Sequence, residues 1–271
     1  MSGVLLIGGS GAGRRTVAMI AWACYVFLIA PSLIVIPISF GNPGEIEFPP
    51  RQFSFTLYRQ FFGDPSWWGA LAQSLLVATT TTAVAICLVV PAAYAIARSR
   101  LPGRGVLRAL FTMPMLVPVI VLGLGLYLQF TAWGLLDTTV GLVLAHIMLT
   151  TPFLLVSIMS GLGHADTALE TVAMVMGASR LRIVLRVVLP QLRASILVGA
   201  LFAFLISLDE VIVAYFLTGT RTQTLPVKMY SAIRWEVSPV IAAISTLLTV
   251  LSLAMALGIL VLQRPAQAPR R

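Results

Sequence analysis

The chain has 271 residues, of which 59% are hydrophobic and only 10% charged, with a formal net charge of +9 and a mean hydropathy of +0.98. Soluble globular domains run closer to a quarter charged, so an ordinary soluble fold is excluded. The pattern points to an all-α, polytopic membrane protein. Two cysteines, Cys24 and Cys87, both inside apolar runs, read as small buried residues and build no disulfide or metal framework.

A hydrocarbon core about 30 Å thick takes roughly 20 apolar helical residues to cross. Six windows qualify: 16–40, 70–96, 106–130, 138–162, 194–218 and 239–262. Their apolarity is continuous, whereas barrel strands alternate over about ten residues. Residues 1–15 read as an N-terminal tail. The stretch GGSGAGRRT in it is no phosphate loop, because Arg14, Arg15 and Thr16 follow Gly13 where that motif needs Lys and a hydroxyl. The first window is too long for the roughly 7–15-residue apolar region of a signal peptide, so it is expected to remain as an anchor.

Residues 41–69 read as an outer loop. Asp64 or Ser66 is positioned to cap an interfacial helix there, and Trp67 and Trp68 fall where an aromatic belt is expected. The five remaining spans occupy 70–262, and 263–271 forms a second tail. With six spans both ends share one side. That side holds 13 of the 18 basic residues, including Arg98, Arg104, Arg180 and Arg186; the other side holds Arg51, Arg59, Arg221, Lys228 and Arg234. The positive-inside rule then puts both termini in the cytoplasm. The net charge is therefore a topology signal and not a nucleic-acid footprint.

The third window carries Pro114 and Pro118 and then Gly123 and Gly125, and Pro152 interrupts the fourth. Proline removes a backbone donor and kinks a helix. Inside a membrane such a break is covered by protein or by a water-filled cavity, so span three reads either as irregular packing or as a moving, pore-lining helix. His146 in span four reads as a hydrogen-bonded packing residue, and neither it nor His164 is given a catalytic role.

Between spans four and five lies a basic amphipathic excursion over 163–193. Asp166 or Thr167 can cap a short helix that Gly177 closes. Ser179 can cap a second one, which Pro190 is expected to end. Such a pair lies on the cytoplasmic face, either resting on headgroups or docking a partner.

The spacing of this stretch resembles the EAA loop of binding-protein-dependent ABC importer permeases, whose pattern is Glu-Ala-Ala, three residues, Gly, nine residues, Ile, any residue, Leu-Pro. Set on Gly177, that pattern puts Ala173 on the second Ala, Ala178 just past the Gly, Val187 on the Ile and Leu189-Pro190 on the closing pair. Thr171 stands at the Glu position with Glu170 one residue earlier, and Val172 replaces the first Ala. Across about 52–252 the segments MPMLVPVIVLGLGL, FLISLDEVIVAYFLTG and TLPVKMYSAIRWEVSP are similar to the polyamine-type branch, the second permease subunit of spermidine/putrescine importers. Two departures bear on the solute: Val119 and Val240 stand where polyamine-type members commonly carry acids.

The resemblance implies a type I ABC importer transmembrane domain of the MetI-like fold in a bacterial inner membrane. It implies a second, different permease subunit, a periplasmic solute-binding protein, and an ATPase dimer that carries ATP and Mg; this chain needs no cofactor and is no enzyme. Coupling to the ATPase falls on Glu170, Thr171, Ala173, Gly177, Ala178, Leu189 and Pro190. The substrate pathway is expected at Asp209, Glu210, Pro118 and Val119. An ionised acid at the bilayer centre costs about 2.5–3.5 kcal/mol on insertion scales, so Asp209 and Glu210 either meet the pathway or fasten helices together. A secondary transporter or channel acting alone is the competing reading, and the lack of an inverted repeat with the coupling pattern present argues against it.

Overall fold

A computed structural model describes residues 11–44, 47–99, 102–235 and 238–262, and among them every regular element is helical. They divide into a unit within 1–61 and 238–250 and a larger unit within 62–237 and 251–271. The stretch 70–262, expected to form one core, therefore contributes its residues 238–250 to the smaller unit.

In the smaller unit, α1 (Gly11–Ile38) is a 28-residue apolar helix. It begins inside the segment expected to be a tail, while residues 1–10 and the second tail, 263–271, lie outside the described residues. The chain then turns back, held by a hydrogen bond of 2.7 Å between Ser39 Oγ and Tyr58 Oη and by the edge-packed rings of Phe40 and Phe55. Amphipathic α2 (Thr56–Gly63) buries Leu57 and Phe61.

In the larger unit, α3 (Pro65–Arg98) runs for 34 residues. Asp64 accepts the Ser66 N–H at 2.8 Å, so it caps this long helix itself rather than a separate interfacial one. Pro65 at the first helical position favours the start, and the helix then runs on through Pro91 to Arg98. Trp67 also departs from expectation. It is 6% exposed and lies under Lys228 Nζ, 4.6 Å from the ring centroid, while Trp68 stays exposed.

The third window is not one straight helix. An amphipathic α4 (Arg104–Thr112) passes into a 3₁₀ turn at Met113–Leu116, and α5 (Val119–Trp133) leaves at 106° to it. Pro114 and Pro118 flank the break, and Gly123 lets Phe216 approach to where a Cβ would lie 2.7 Å from its ring. By contrast α6 (Thr139–His164) runs unbroken through Pro152.

After α7 (Thr167–Val175) and α8 (Arg180–Ile183), a π-helical turn at Val184–Val188 leads straight into α9 (Leu189–Leu208). Pro190 therefore does not end the second helix. The widened turn, in which Leu189 N–H reaches Val184 O, absorbs the proline that a regular ladder would reject. The fifth window breaks instead at Asp209–Val211, ahead of the short α10 (Ile212–Leu217). Then come α11 (Leu225–Trp235) and α12 (Val240–Leu262). Among the described residues five helices are long and apolar enough to cross a membrane, and the bent pair α4–α5 makes a sixth crossing if counted as one.

The centre of the larger unit is α3, α6 and α9 packed on one another. Gln73 Nε2 donates to Thr139 Oγ1 at 3.0 Å near one end, and Arg98 Nη2 to Leu162 O at 3.0 Å near the other, so α3 and α6 run parallel. Antiparallel α9 is fixed to α6 by Ser157 Oγ donating to Ser195 O at 2.7 Å and by the 2.7 Å contact of His146 Nδ1 with Ser207 Oγ. Small residues permit this approach: a Cβ at Gly199 would sit 2.5 Å from Leu154 Cδ1. Cys24 and Cys87, expected to be buried, are exposed on their helices. Lipid solvates an apolar helix face, so burial is not required there.

Candidate coupling loop and pathway residues

The loop after α6 is built by two caps. Asp166 accepts the Ala168 N–H at 2.8 Å and starts α7. At the other end Gly177 takes φ +83°, its N–H reaches Met174 O at 3.0 Å, and Ala178 N–H reaches Ala173 O at 3.0 Å. These two bonds make a Schellman closure, which needs the left-handed residue that glycine supplies. A polypeptide following the Gly177 spacing therefore turns sharply between two helices.

The loop then sorts its residues into two faces. Ala173, Ala178, Val187 and Leu189 pack against the buried cluster that includes Ala93, Ile96, Ile183 and Val188. Val175 and Met176 at the turn are 83% and 82% exposed, and Leu181 is 69% exposed beside Arg180 and Arg182. Of the residues expected to couple, Thr171, Gly177 and Pro190 are exposed; Ala173, Ala178 and Leu189 hold the loop from beneath. Nothing in the sequence marks this exposed apolar tip, because Val175 and Met176 are apolar residues just ahead of the Gly177 turn and their direction depends on the fold.

Glu170 is the largest departure. It is only 8% exposed and turns inward. Its Oε2 accepts Tyr94 Oη at 3.0 Å and its Oε1 accepts Arg98 Nε at 3.1 Å. Arg98 Nη2 also reaches Leu162 O at 3.0 Å and Ala165 O at 3.4 Å, where α6 ends. Neighbouring helical residues differ by about 100° in direction. An acid at 170 in place of 171 therefore faces α3, while Thr171 is left outside, its hydroxyl on Thr167 O.

The four residues expected in the pathway lie in the two breaks. Pro118 and Val119 begin α5; Asp209 and Glu210 separate α9 from α10. Because α5 packs on α10, and Val119 joins the cluster containing Val213, the two breaks belong to one packed pair. Glu210 Oε1 accepts Val213 N–H at 2.7 Å and so covers a free donor at the start of α10. Asp209 ends α9 and is exposed. Among the described residues no cation pairs with either acid. None of the four lines the cavity of about 490 Å³ between the 3₁₀ turn, α6 and α9 that includes Met115, Pro152, Ser157, Ser195 and Phe202. Ser160 and Ser195 also line a second cavity of about 400 Å³, beside His164 and Gln191.

At the opposite end of the larger unit, Asp137 (φ +51°) ties the turn before α6 to the segment after α10. It accepts from Gly219 N at 2.9 Å, Thr222 N at 3.1 Å, Thr222 Oγ1 at 2.8 Å and Arg221 Nε at 3.3 Å. Burial raises its pKa, but these donors outweigh it and hold the carboxyl down at about 2.

Residues 89–266 match the family described as binding-protein-dependent transport system inner membrane component. The chain belongs to that family. It is a multi-pass permease subunit of the ABC importer type. It is 31% identical over 231 residues to the putrescine transport system permease protein PotI of Escherichia coli, covering 83% of this chain and 82% of that one. It is also 31% identical over 199 residues to the molybdate/tungstate transport system permease protein WtpB of Pyrococcus abyssi, covering 72% and 79%. In fold it is similar to a chain of a bacterial ABC transporter that imports the acidic polysaccharide alginate. That match has a TM-score of 0.69 at 16% identity and covers 96% of this chain and 99% of that one.

Proposed function

We propose that this permease subunit works with a second permease subunit, a solute-binding protein and an ATPase pair, and that its arginine-rich end lies in the cytoplasm. The observation that carries this reading is the exposed apolar tip of the α7–α8 turn, flanked by Arg180 and Arg182 and fixed from beneath by the Schellman closure. A contiguous apolar surface with a polar rim marks a protein contact, and here it is mounted on the bundle as a lever that the ATPase moves. ATP and Mg are held by that partner, and this chain supplies the moving wall of the pathway without catalysing a reaction.

The solute is a small organic cation of the polyamine class. Asp209 is a carboxylate in a helix break with no cation paired to it among the described residues, and the putrescine relative supports the class. An oxyanion, as in the molybdate/tungstate relative, is the reading to beat. The test is purification in mild detergent followed by uptake in vesicles. Co-purification with an ATPase, with putrescine uptake lost in Asp209→Asn while its melting temperature is kept, meets the proposal. A permease active alone defeats it. Uptake of molybdate, unaffected by Asp209→Asn, defeats the choice of solute. Loss of melting temperature in Asp209→Asn assigns the acid to holding helices together.

A further inference from the structure

The interior side of the coupling loop carries chemistry that docking does not use. Glu170 and Arg98 form an ion pair whose side chains are only 11% and 23% exposed, and Tyr94 donates to the second carboxylate oxygen. The residues come from far apart in the chain: Tyr94 and Arg98 stand one turn apart at the end of α3, Glu170 in the middle of α7. The guanidinium does double service, since its Nη2 covers two carbonyls at the end of α6. A planar fork that bonds an acid and backbone oxygens at once fixes orientation as well as distance. Three elements, α3, α6 and α7, thus meet on one side chain.

We propose that Arg98 and Glu170, assisted by Tyr94, are positioning residues for coupling: they clamp α7 to the ends of α3 and α6, so that a push on the α7–α8 tip moves those two helices as one body. The alternative would be a tip hinged on Asp166 and Gly177, which would absorb the displacement. Acting through the inward face explains why the acid sits at 170, out of register with the family's Glu, and why the outward position can be Thr171. Apolar packing of Ala173 and Ala178 supports the same body but slides easily, because it is non-directional. The ion pair supplies the direction.

This inference rests on the proposed coupling to an ATPase, and its test separates the two. Spin labels are placed at the exposed positions 88 on α3 and 168 on α7, away from the docking tip, in the full complex in lipid nanodiscs, and the distance is measured without nucleotide and after trapping with ATP and vanadate. The wild type is expected to keep one narrow distance in both states, and Glu170→Gln to broaden it. In vesicles, putrescine imported per ATP hydrolysed is expected to fall by about tenfold in Glu170→Gln, equivalent to 1.4 kcal/mol of lost coupling, and by less in Tyr94→Phe, which removes one donor and keeps the ion pair. A wild-type distance that changes on trapping overturns the clamp. So does a Glu170→Gln distribution as narrow as wild type, or an unchanged import ratio. If the wild type retains no ATPase, the coupling reading fails, and the comparison of label distances without nucleotide still decides whether the clamp exists.

Discussion

The two ends of the larger unit are each tied by one carboxylate, and they are tied differently. At the arginine-rich end Glu170 is held by side chains, Arg98 and Tyr94, in a largely buried pocket. At the other end Asp137 is held chiefly by the backbone and hydroxyl of the 219–222 segment, and its one ionic partner, Arg221, is 76% exposed. Backbone amides fix a turn locally. A buried side-chain pair fixes one helix to another, and loses much more when a single partner is removed. The contrast is what the proposed clamp requires: one tie closes a short connection, the other joins helix to helix.

The largest effect expected from breaking this contrast is at Arg98. Arg98→Ala leaves Glu170 unpaired and two carbonyls of the α6 end uncovered, so a loss of about 3 kcal/mol is expected on thermal unfolding in detergent. Asp137→Ala comes next, at about 2 kcal/mol, because several donors lose their acceptor but remain partly in reach of water. If the order reverses, the backbone-built tie is the stronger of the two. Gly177→Leu is expected to cost about 1–2 kcal/mol through the left-handed backbone alone, since open space surrounds the site. Loss of ATPase co-purification should accompany it, while membrane insertion is kept. Retained co-purification with full transport would falsify the role of that turn.

Smaller effects sharpen the picture at Asp137. Arg221→Ala should change stability by less than about 1 kcal/mol, as exposed ion pairs do; a larger loss would make the charge, and not the amides, the source of the tie. The acid titration has a definite sign. Because the folded carboxyl is depressed from 3.8 to about 2, its stabilisation is fully present above the ordinary value and is lost as pH falls from there toward 2. The difference in melting temperature between wild type and Asp137→Asn should therefore stay constant down to about pH 4 and shrink below it. A difference that shrinks already between pH 6 and 5 would contradict the depressed carboxyl.

Much of this was legible along the chain. The membrane class follows from apolar run length alone, because the bilayer sets one scale for every span. The cap, narrowed to Asp166 or Thr167, and the turn at Gly177 were legible for a similar reason: a helix end is decided by a few neighbouring residues and their backbone angles, and the sequence gives those neighbours in order. The Gly177-to-Pro190 spacing carried the family likeness for the same cause.

What only the tertiary structure decided involves partners or directions that sequence spacing does not encode. Pro190 reads in the sequence as a helix stop, but the π-helical turn beside it keeps the ladder going, and the break falls at Asp209–Val211 among residues with no strong breaker. Glu170 reads in the sequence as a residue facing a partner, yet a one-residue shift on a helix turns it by about 100°, toward Tyr94 at a separation of 76 residues. Local sequence determines where a helix can begin and end. Which way its side chains face, and whether a proline or an acid is accommodated, depends on what the fold packs against it.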